Sequence, residues 1–148
     1  MAKCADCGTF LGLGGALGGS PVVFNGVEYC QTCADKVIGE GILITTTHNL
    51  DGYKVVKYIG IESVEIVIGT GLFSEFEGSI SDFLGRRSTA FENKLADAKQ
   101  AAFTLLKKRT FEKKGNAVVG IDMDFTEFSG NRIGLIVNGT IVSIKPTE

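Results

Sequence analysis

The longest patterned stretch of the chain lies between residues 73 and 125, and it predicts a helical region followed by a strand. Its apolar residues recur at steps of three, four and seven with charged residues between them, which is typical of one buried helical face. These apolar residues are Phe73, Phe76, Ile80, Phe83, Leu84, Phe91, Leu95, Ala98, Ala102, Leu105 and Leu106. Because Gly85 separates the first group from the second, the pattern predicts a short helix, a kink or break, and a long helix ending near Gly115.

Strand patterns surround this helical region. Residues 42–47 and 53–68 are rich in β-branched side chains, and Gly60 suggests a bulge or bend within the second of these strands. After the helix, residues 117–128 and 132–144 are predicted strands joined by Ser129-Gly130-Asn131. In the first of them Val119, Ile121, Met123 and Phe125 alternate with polar residues, as a strand with one buried face does. The order β-β-α-β-β predicts two hairpins separated by a helix. The fold class is therefore α+β, an antiparallel sheet covered on one face by a kinked or broken helix.

Composition and charge restrict the classes of protein to which the chain can belong. It has 148 residues, of which 44% are hydrophobic, and a formal net charge of −2. Acidic and basic residues are interleaved, which argues against a nucleic-acid partner, and no apolar run approaches the ~18 residues of a membrane-spanning helix. No apolar signal region precedes the first cysteine. We therefore expect a cytoplasmic protein.

The amino-terminal residues 1–41 contain all four cysteines, arranged as two C-x2-C pairs separated by 22 residues. The pairs are Cys4 with Cys7 and Cys30 with Cys33. Two intervening residues let both sulfurs of a pair converge on one ion, and Gly8 permits the positive φ that such a turn requires. Asn25-Gly26 between apolar runs predicts a hairpin. The second pair then opens a short helix over 33–38, ended by Gly39 and Gly41, which resembles a treble-clef or zinc-ribbon finger.

A closed four-thiolate site predicts one structural Zn²⁺ per chain, because it leaves no open position for a substrate. The glycine-rich sequence cannot stabilise a fold by burial alone, so the metal would be part of folding. We expect free amides at the helix start to stabilise the Cys30 and Cys33 thiolates. The alternative is a pair of free dithiols or a redox switch, although no βαβ pattern surrounds either pair.

Residues 42–148 contain motifs that resemble a known family. TTTHNLDGYKVVKYIG, FSEFEGSISDFLGRRSTAFENKLADAKQAAF, GNAVVGIDMDF and VNGTIV are similar to the YbjQ-like family, which carries a heavy-metal-binding label, over residues 42–145. The resemblance implies a dodecin-like α+β oligomerisation domain that assembles into a homopentamer, with no established enzymatic activity. From residue 42 onward there is no cysteine and only one histidine, His48. Soft ions prefer sulfur and imidazole, so heavy-metal affinity belongs more naturally to the finger or needs ligands from several subunits.

Other residues suggest weaker sites. Asp122 and Asp124 project from one strand face and could hold a hard cation; otherwise they face water or pair with helix cations. The helix cations that could pair with them are Arg86, Arg87 and Lys94. Arg86 and Arg87, with Ser88, could instead form an anion site or a subunit interface.

The sequence contains no P-loop, dinucleotide fingerprint or serine–histidine–carboxylate set. The preferred interpretation is a non-enzymatic, zinc-containing homo-oligomer whose finger is structural or binds a protein partner. One alternative is a metal-handling protein with exchangeable or ring-bound metal. Another is a binder of small molecules or anions in a subunit crevice.

Overall fold

Two short hairpins and a helix form the amino-terminal unit of the chain. The structure is a computed structural model that describes residues 2–12, 20–68, 89–128 and 132–148. The chain divides into two units, Met1–Leu43 and Ile44–Glu148. The elements of the first unit are β1 (Ala2–Lys3), β2 (Phe10–Leu11), β3 (Val22–Phe24), β4 (Val27–Tyr29) and α1 (Gln31–Gly41). Strands β1 and β2 pair antiparallel, and so do β3 and β4.

Helix α1 is longer than the sequence predicts. It runs from Gln31 to Gly41, whereas the pattern predicted residues 33–38. It starts earlier because the Ala34 amide donates to the Cys30 carbonyl at 2.8 Å, which makes Cys30 the N-cap. It continues past Gly39 because a helical glycine costs only about 1 kcal/mol. At Gly41 the absence of a side chain is required: a Cβ there would lie 2.7 Å from Cζ of Phe24.

A four-stranded sheet forms the framework of the second unit. Its strands are β5 (Leu43–Ile44), β6 (Tyr53–Ile68), β7 (Ala117–Phe128) and β8 (Arg132–Pro146), in the spatial order β5-β7-β8-β6. Strand β8 pairs antiparallel with β7 on one side and with β6 on the other. The α+β class with an antiparallel sheet is confirmed. None of the helices in the described ranges combines the length and apolar character that crossing a bilayer requires.

The predicted hairpin between the first two strands of this unit is wrong. Strands β5 and β6 lie at opposite edges of the sheet, and β5 neighbours β7. The segment after β5 binds the β7 backbone: the Thr45 amide donates to the Val118 carbonyl at 3.0 Å, and the Gly120 amide donates to the Thr47 carbonyl at 3.0 Å. Gly120 has a φ of +62° where the register of β7 shifts, and a Cβ there would lie 2.9 Å from Nδ1 of His48. A glycine bulge in β7 therefore accommodates this segment.

The bulge predicted near Gly60 is confirmed. The register of β6 against β8 shifts twice, between Val55 and Lys57 and again between Tyr58 and Gly60. Each shift adds an unpaired residue and increases the local twist of the strand. From Ile61 to Ile68 the pairing with β8 is regular.

Helix α2 (Thr89–Glu112) packs on one face of the sheet and forms the core of the second unit. Its buried residues follow the predicted stripe, with Ala98, Ala102 and Leu106 at steps of four. The two alanines are small, so the helix axis can approach the strands closely. The sheet contributes buried side chains that meet this stripe, namely Val64, Ile68, Val118, Ile121, Leu135, Val137 and Ile141. The shorter helix predicted before Gly85 lies outside the described residues.

At the end of α2, Gly115 is required because its neighbours leave no room for a side chain, and not because its backbone adopts a positive φ. The Gly115 amide donates to the Thr110 carbonyl and the Lys114 amide to the Phe111 carbonyl, both at 2.9 Å, which is a Schellman motif. Lys114, with a φ of +62°, occupies the left-handed position. Gly115 is the next residue, and a Cβ there would lie 2.4 Å from Cγ2 of Ile141. The glycine therefore allows the chain to pass against the sheet.

Charged side chains also join α2 to β6. Glu62 accepts a hydrogen bond from Arg109 Nη1 at 3.0 Å and another from Lys113 Nζ, and its side chain is only 11% exposed. Arg109 Nη1 also donates to the Ser63 carbonyl at 2.6 Å. The Lys113 ammonium, followed by the Arg109 guanidinium, lowers the pKa of the Glu62 carboxyl. The ionised carboxylate therefore stabilises the fold.

We expect Leu106→Ala to lower the free energy of unfolding of the second unit by about 2–5 kcal/mol, because it leaves a cavity between α2 and the sheet. Thr104→Ala, at an exposed position of the same helix, is the control and should change stability by less than about 0.5 kcal/mol. Urea unfolding followed by the helical circular dichroism signal measures both variants. Equal stabilities of the two variants would contradict the packing described above.

We expect Glu62→Gln to lower the free energy of unfolding by roughly 1–3 kcal/mol at pH 7, because it removes charged hydrogen bonds from a mostly buried acceptor. The folded-state pKa lies below the unfolded one. The contribution is therefore complete above the unfolded pKa, about 4.3, and disappears as the pH falls through the folded value. The two proteins should become equally stable in acid. Glu127→Gln, at an exposed position of β7, is the control and should change stability at pH 7 by less than about 0.5 kcal/mol.

Candidate metal centre

Four sulfur atoms converge in the first unit. The Sγ atoms of Cys4, Cys7, Cys30 and Cys33 all lie within 4.8 Å of one another, and those of Cys7 and Cys30 are 3.7 Å apart. A tetrahedral zinc ion with Zn–S bonds of about 2.3 Å has sulfur–sulfur edges of about 3.8 Å. A disulfide would need about 2.05 Å. The spacing therefore fits four ligands around one ion, and all four cysteines have free thiols.

The first pair is held by a tight turn of the backbone. The Cys4 amide donates to the Thr9 carbonyl at 2.8 Å, and the Gly8 amide donates to the Cys4 carbonyl at 3.0 Å. Gly8 has a φ of +73°, as the sequence predicts, and no other residue type adopts this conformation so readily. These bonds bend the chain so that Cys4 and Cys7 present their sulfurs to the same point.

The second pair is placed by a hairpin and a helix. Asn25 and Gly26, with φ of +51° and +79°, form the predicted two-residue turn between β3 and β4. Strand β4 leads directly into Cys30, the N-cap of α1, and Cys33 follows in the first turn of that helix. The Ala5 amide donates to the Glu28 carbonyl at 3.1 Å, which joins the first turn to the strand before Cys30. Backbone hydrogen bonds thus bring the two pairs together.

The surroundings of the sulfurs shift the pKa values of the cysteines in opposite directions. Hydrogen bonds from backbone amides lower the pKa of the Cys4 thiol to about 6. The amide of Cys30 has the largest effect, and that of Cys7 has the second largest. The Thr9 hydroxyl, whose Oγ1 lies 3.2 Å from Cys7 Sγ, and the Thr9 amide lower the pKa of Cys7. By contrast, the neighbouring sulfurs raise the pKa of Cys33, and the sulfur of Cys30 has the largest effect. Without a cation, the effect of the neighbouring sulfurs on the Cys33 thiol therefore outweighs any stabilisation of its thiolate by the helix start.

A metal cation would reverse the effect at Cys33. Four thiolates at this spacing repel one another, and a divalent ion at their centre supplies the charge that keeps all four deprotonated. The site is open to solvent on one side only, because Cys7 is exposed, Cys30 and Cys33 are half-buried and Cys4 is buried. Sequence reasoning missed Thr9 as a second partner of Cys7. Its position two residues after Cys7, in the same turn, is the signal that could have indicated it.

The other predicted site residues do not join this centre. Arg86, Arg87 and Ser88 lie outside the described residues. Asp122 and Asp124 are both exposed, and they lie on the sheet face opposite α2, because Met123 between them pairs with the core residue Val137. Of the two alternatives for these carboxylates, the structure therefore agrees with exposure to water and not with a pairing with Lys94 of α2. Within the described ranges, the four cysteines form the only cluster of three or more potential metal ligands.

The fold and the site together define a two-unit protein, with a four-cysteine finger followed by an α+β sheet. Residues 42–145 match the YbjQ family model, whose description is "Putative heavy-metal-binding", and the chain belongs to this family. A UPF0145 protein of Anoxybacillus flavithermus is 33% identical over 104 residues, which cover 70% of this chain and 99% of that protein. A UPF0145 protein of Carboxydothermus hydrogenoformans is 35% identical over 105 residues, covering 71% and 98%.

Among solved structures, a protein of unknown function from Pediococcus pentosaceus, assigned to the DUF74 family, is similar at 16% identity with a TM-score of 0.44. The similarity covers 71% of this chain and 99% of that one. For the two UPF0145 relatives, about 70% of this chain aligns with almost the whole length of each relative. The family match begins at residue 42, so all four cysteines precede it.

Proposed function

We propose that this protein is a non-enzymatic, zinc-containing homo-oligomer in which the ion is required for the first unit to fold. The observation that carries the proposal is the convergence of four thiols within 4.8 Å of one another, with 3.7 Å between Cys7 and Cys30 Sγ. Sulfur donors favour zinc or softer ions over magnesium and calcium. A closed four-sulfur site leaves no position for a substrate, so the ion is structural.

The small core of the first unit supports a folding role for the metal. Among the described residues up to the end of α1, the buried side chains are few, namely Cys4, Leu11, Phe24, Ala34 and Ile38. A segment of about 40 residues buries too little apolar surface to fold without a metal, a disulfide or a partner. Zinc binding would supply the missing free energy, since the four ligands converge only in the folded chain.

We expect the full chain to purify with about one zinc ion, measured by native mass spectrometry together with elemental analysis. Cys4→Ser should lose this ion, because it removes the most buried of the four ligands. Chelation should abolish the structure of the first unit only, visible as fast amide hydrogen exchange in α1 with α2 still protected. The ion should also dissociate as the pH falls, since protons compete for the thiolates.

Matched variants outside the finger complete this test. His48→Ala and Asp122→Asn remove potential ligands of the second unit and should leave the zinc content unchanged. A Cys4→Ser protein that retains metal would instead indicate a second site and support the metal-handling alternative. A wild-type chain purified in reductant without any metal would contradict the proposal.

The metal-handling alternative has one structural observation in its favour. Cys7 is exposed, so an incoming ion or a competing ligand can reach the centre from solvent. Exchange of bound zinc for Cd²⁺ measures this access: replacement within minutes favours metal handling, whereas replacement only on unfolding favours the structural role.

We further propose that the second unit associates with copies of itself. Strand β6 is an edge strand of 16 residues, and Tyr58, Ile61 and Val67 on its face opposite α2 are 70%, 80% and 59% exposed. At the other edge β5 has only two residues, so it covers only a small part of the 12-residue strand β7. Among the described strands, neither outer edge of the sheet is fully paired. A sheet with such edges can continue from one copy into the next, and head-to-tail contacts form a ring when the rotation between copies closes. A second copy therefore fits both edges, in agreement with the homopentamer that the resemblance implies.

We expect Ile61→Lys to shift the protein from an oligomer to smaller species in native mass spectrometry and sedimentation velocity, because it places a charge at the proposed contact. Ile61 is 80% exposed, so the substitution should leave the stability of the subunit unchanged. Thr104→Lys, at an exposed position on α2, is the control and should assemble like the wild type. A monomeric wild type, or a variant that assembles normally, would exclude this interface.

A further inference from the structure

We propose that Cys7 and Cys30 are a modification site for hydroperoxides, at which oxidation to a disulfide releases the metal ion of the finger. This inference rests on the proposed zinc site, because release requires a bound ion. The pairing of Cys7 with Cys30 is a separate claim, since disulfide mapping tests it whichever ion the folded finger holds.

The geometry selects this pair. Cys7 and Cys30 belong to different C-x2-C pairs, and their Sγ atoms are 3.7 Å apart. A movement of somewhat less than 2 Å would bring them to the disulfide bond length of about 2.05 Å. Neither sulfur lies within a regular strand or helix, because Cys7 is in the turn after β1 and Cys30 is the N-cap of α1. Small backbone shifts at these positions break no sheet pairing.

Exposure determines where oxidation begins. Cys7 is the exposed member of the cluster, whereas Cys4 is 3% exposed and Cys30 and Cys33 are half-buried. A hydroperoxide arriving from solvent therefore meets Cys7 first. Oxidation of cysteine follows thiolate character and exposure, and a metal ligand is already a thiolate. Cys30 is then the resolving cysteine, because its sulfur is adjacent.

The chemistry balances with hydrogen peroxide as the oxidant. The Cys7 thiolate attacks one peroxide oxygen, the O–O bond breaks, and hydroxide leaves, which gives a sulfenic acid. The Cys30 thiolate then attacks Cys7 Sγ, forms the S–S bond and displaces the second hydroxide. Two thiolates are oxidised by two electrons in total, and one peroxide is reduced to two hydroxide ions.

The product cannot hold the ion as before. Only Cys4 and Cys33 remain as thiolates, and a structural zinc site needs four ligands. The disulfide joins the first turn to α1 across the glycine-rich segment, so the metal-free oxidised finger keeps a covalent link between its halves. A disulfide within either C-x2-C pair would leave the halves unconnected. Because the product is a disulfide and not a sulfinic or sulfonic acid, the oxidation is reversible: a thiol reductant restores both ligands.

The test treats the zinc-loaded full chain with hydrogen peroxide. Released zinc is followed with a chromogenic chelator, and disulfides are mapped by mass spectrometry of peptides under non-reducing conditions. We expect loss of about one zinc ion per chain together with a Cys7–Cys30 disulfide, and recovery of zinc binding after reduction. Release accompanied by a Cys4–Cys7 or Cys30–Cys33 disulfide, or no disulfide at all, would overturn the proposal.

A pair of variants separates the role of Cys7 from general damage to the site. Cys7→His and Cys33→His each keep four ligands of the kinds found in structural zinc sites. Cys33→His retains both members of the reactive pair and should still release zinc with the disulfide. Cys7→His should keep its zinc under the same treatment; release at the wild-type rate would contradict the assignment.

If Cys7→His does not bind zinc, the wild type loaded with Cd²⁺ decides the pairing, because a four-thiolate cadmium site keeps the finger folded and peroxide should still give the Cys7–Cys30 disulfide. A different pairing there would also overturn the inference. A wild type that never binds zinc but forms this disulfide would refute the zinc site while leaving the oxidation site intact.

Discussion

The mutual repulsion of four thiolates is the constraint on which the first unit depends. Backbone hydrogen bonds within the first turn, and from that turn to the strand before Cys30, bring the sulfurs within 4.8 Å of one another. Without a cation they cannot all ionise: amides lower the pKa of Cys4 to about 6, while the adjacent sulfurs raise that of Cys33. A divalent ion would remove this conflict, and its binding would add to the limited free energy that a small core can supply. Under the proposed function, folding and metal binding would then be one process in this unit.

The second unit is stabilised differently. Helix α2 buries its alanine and leucine stripe against three strands, and the Glu62 carboxylate joins the sheet to Arg109 and Lys113. The family match, which carries the heavy-metal description, begins at residue 42 and includes no cysteine. The sulfur cluster precedes it. The description of the family and the soft-ligand site of this chain therefore refer to different parts of the molecule, and metal binding by one unit is no evidence for metal binding by the other.

Sequence reasoning succeeded where a local rule acts alone. The spacing of the cysteines, the positive φ of Gly8, the Asn25-Gly26 turn and the helical stripe each depend on a few neighbouring residues. It failed where contacts between residues distant in sequence determine the structure. Strands β5 and β6 were expected to pair because they are consecutive, but the bulge at Gly120 lets the β5 segment bind β7. At the end of α2, Lys114 rather than a glycine takes the left-handed conformation, because packing against the sheet requires the glycine one residue later.

The exposed edge of β6 is not uniform along its length, and this difference bears on what can pair with it. The half that contains Lys54 and Lys57 is interrupted by two register shifts, and bulges and lysines are devices that prevent strands from pairing edge to edge. The half from Ile61 to Ile68 has regular pairing with β8, and it exposes Ile61 and Val67 on the face opposite α2. A partner strand would therefore add to this second half. Because the first half is protected, the proposed contact would have a limited length and a defined register, so each copy would meet the next in the same geometry, as a ring requires.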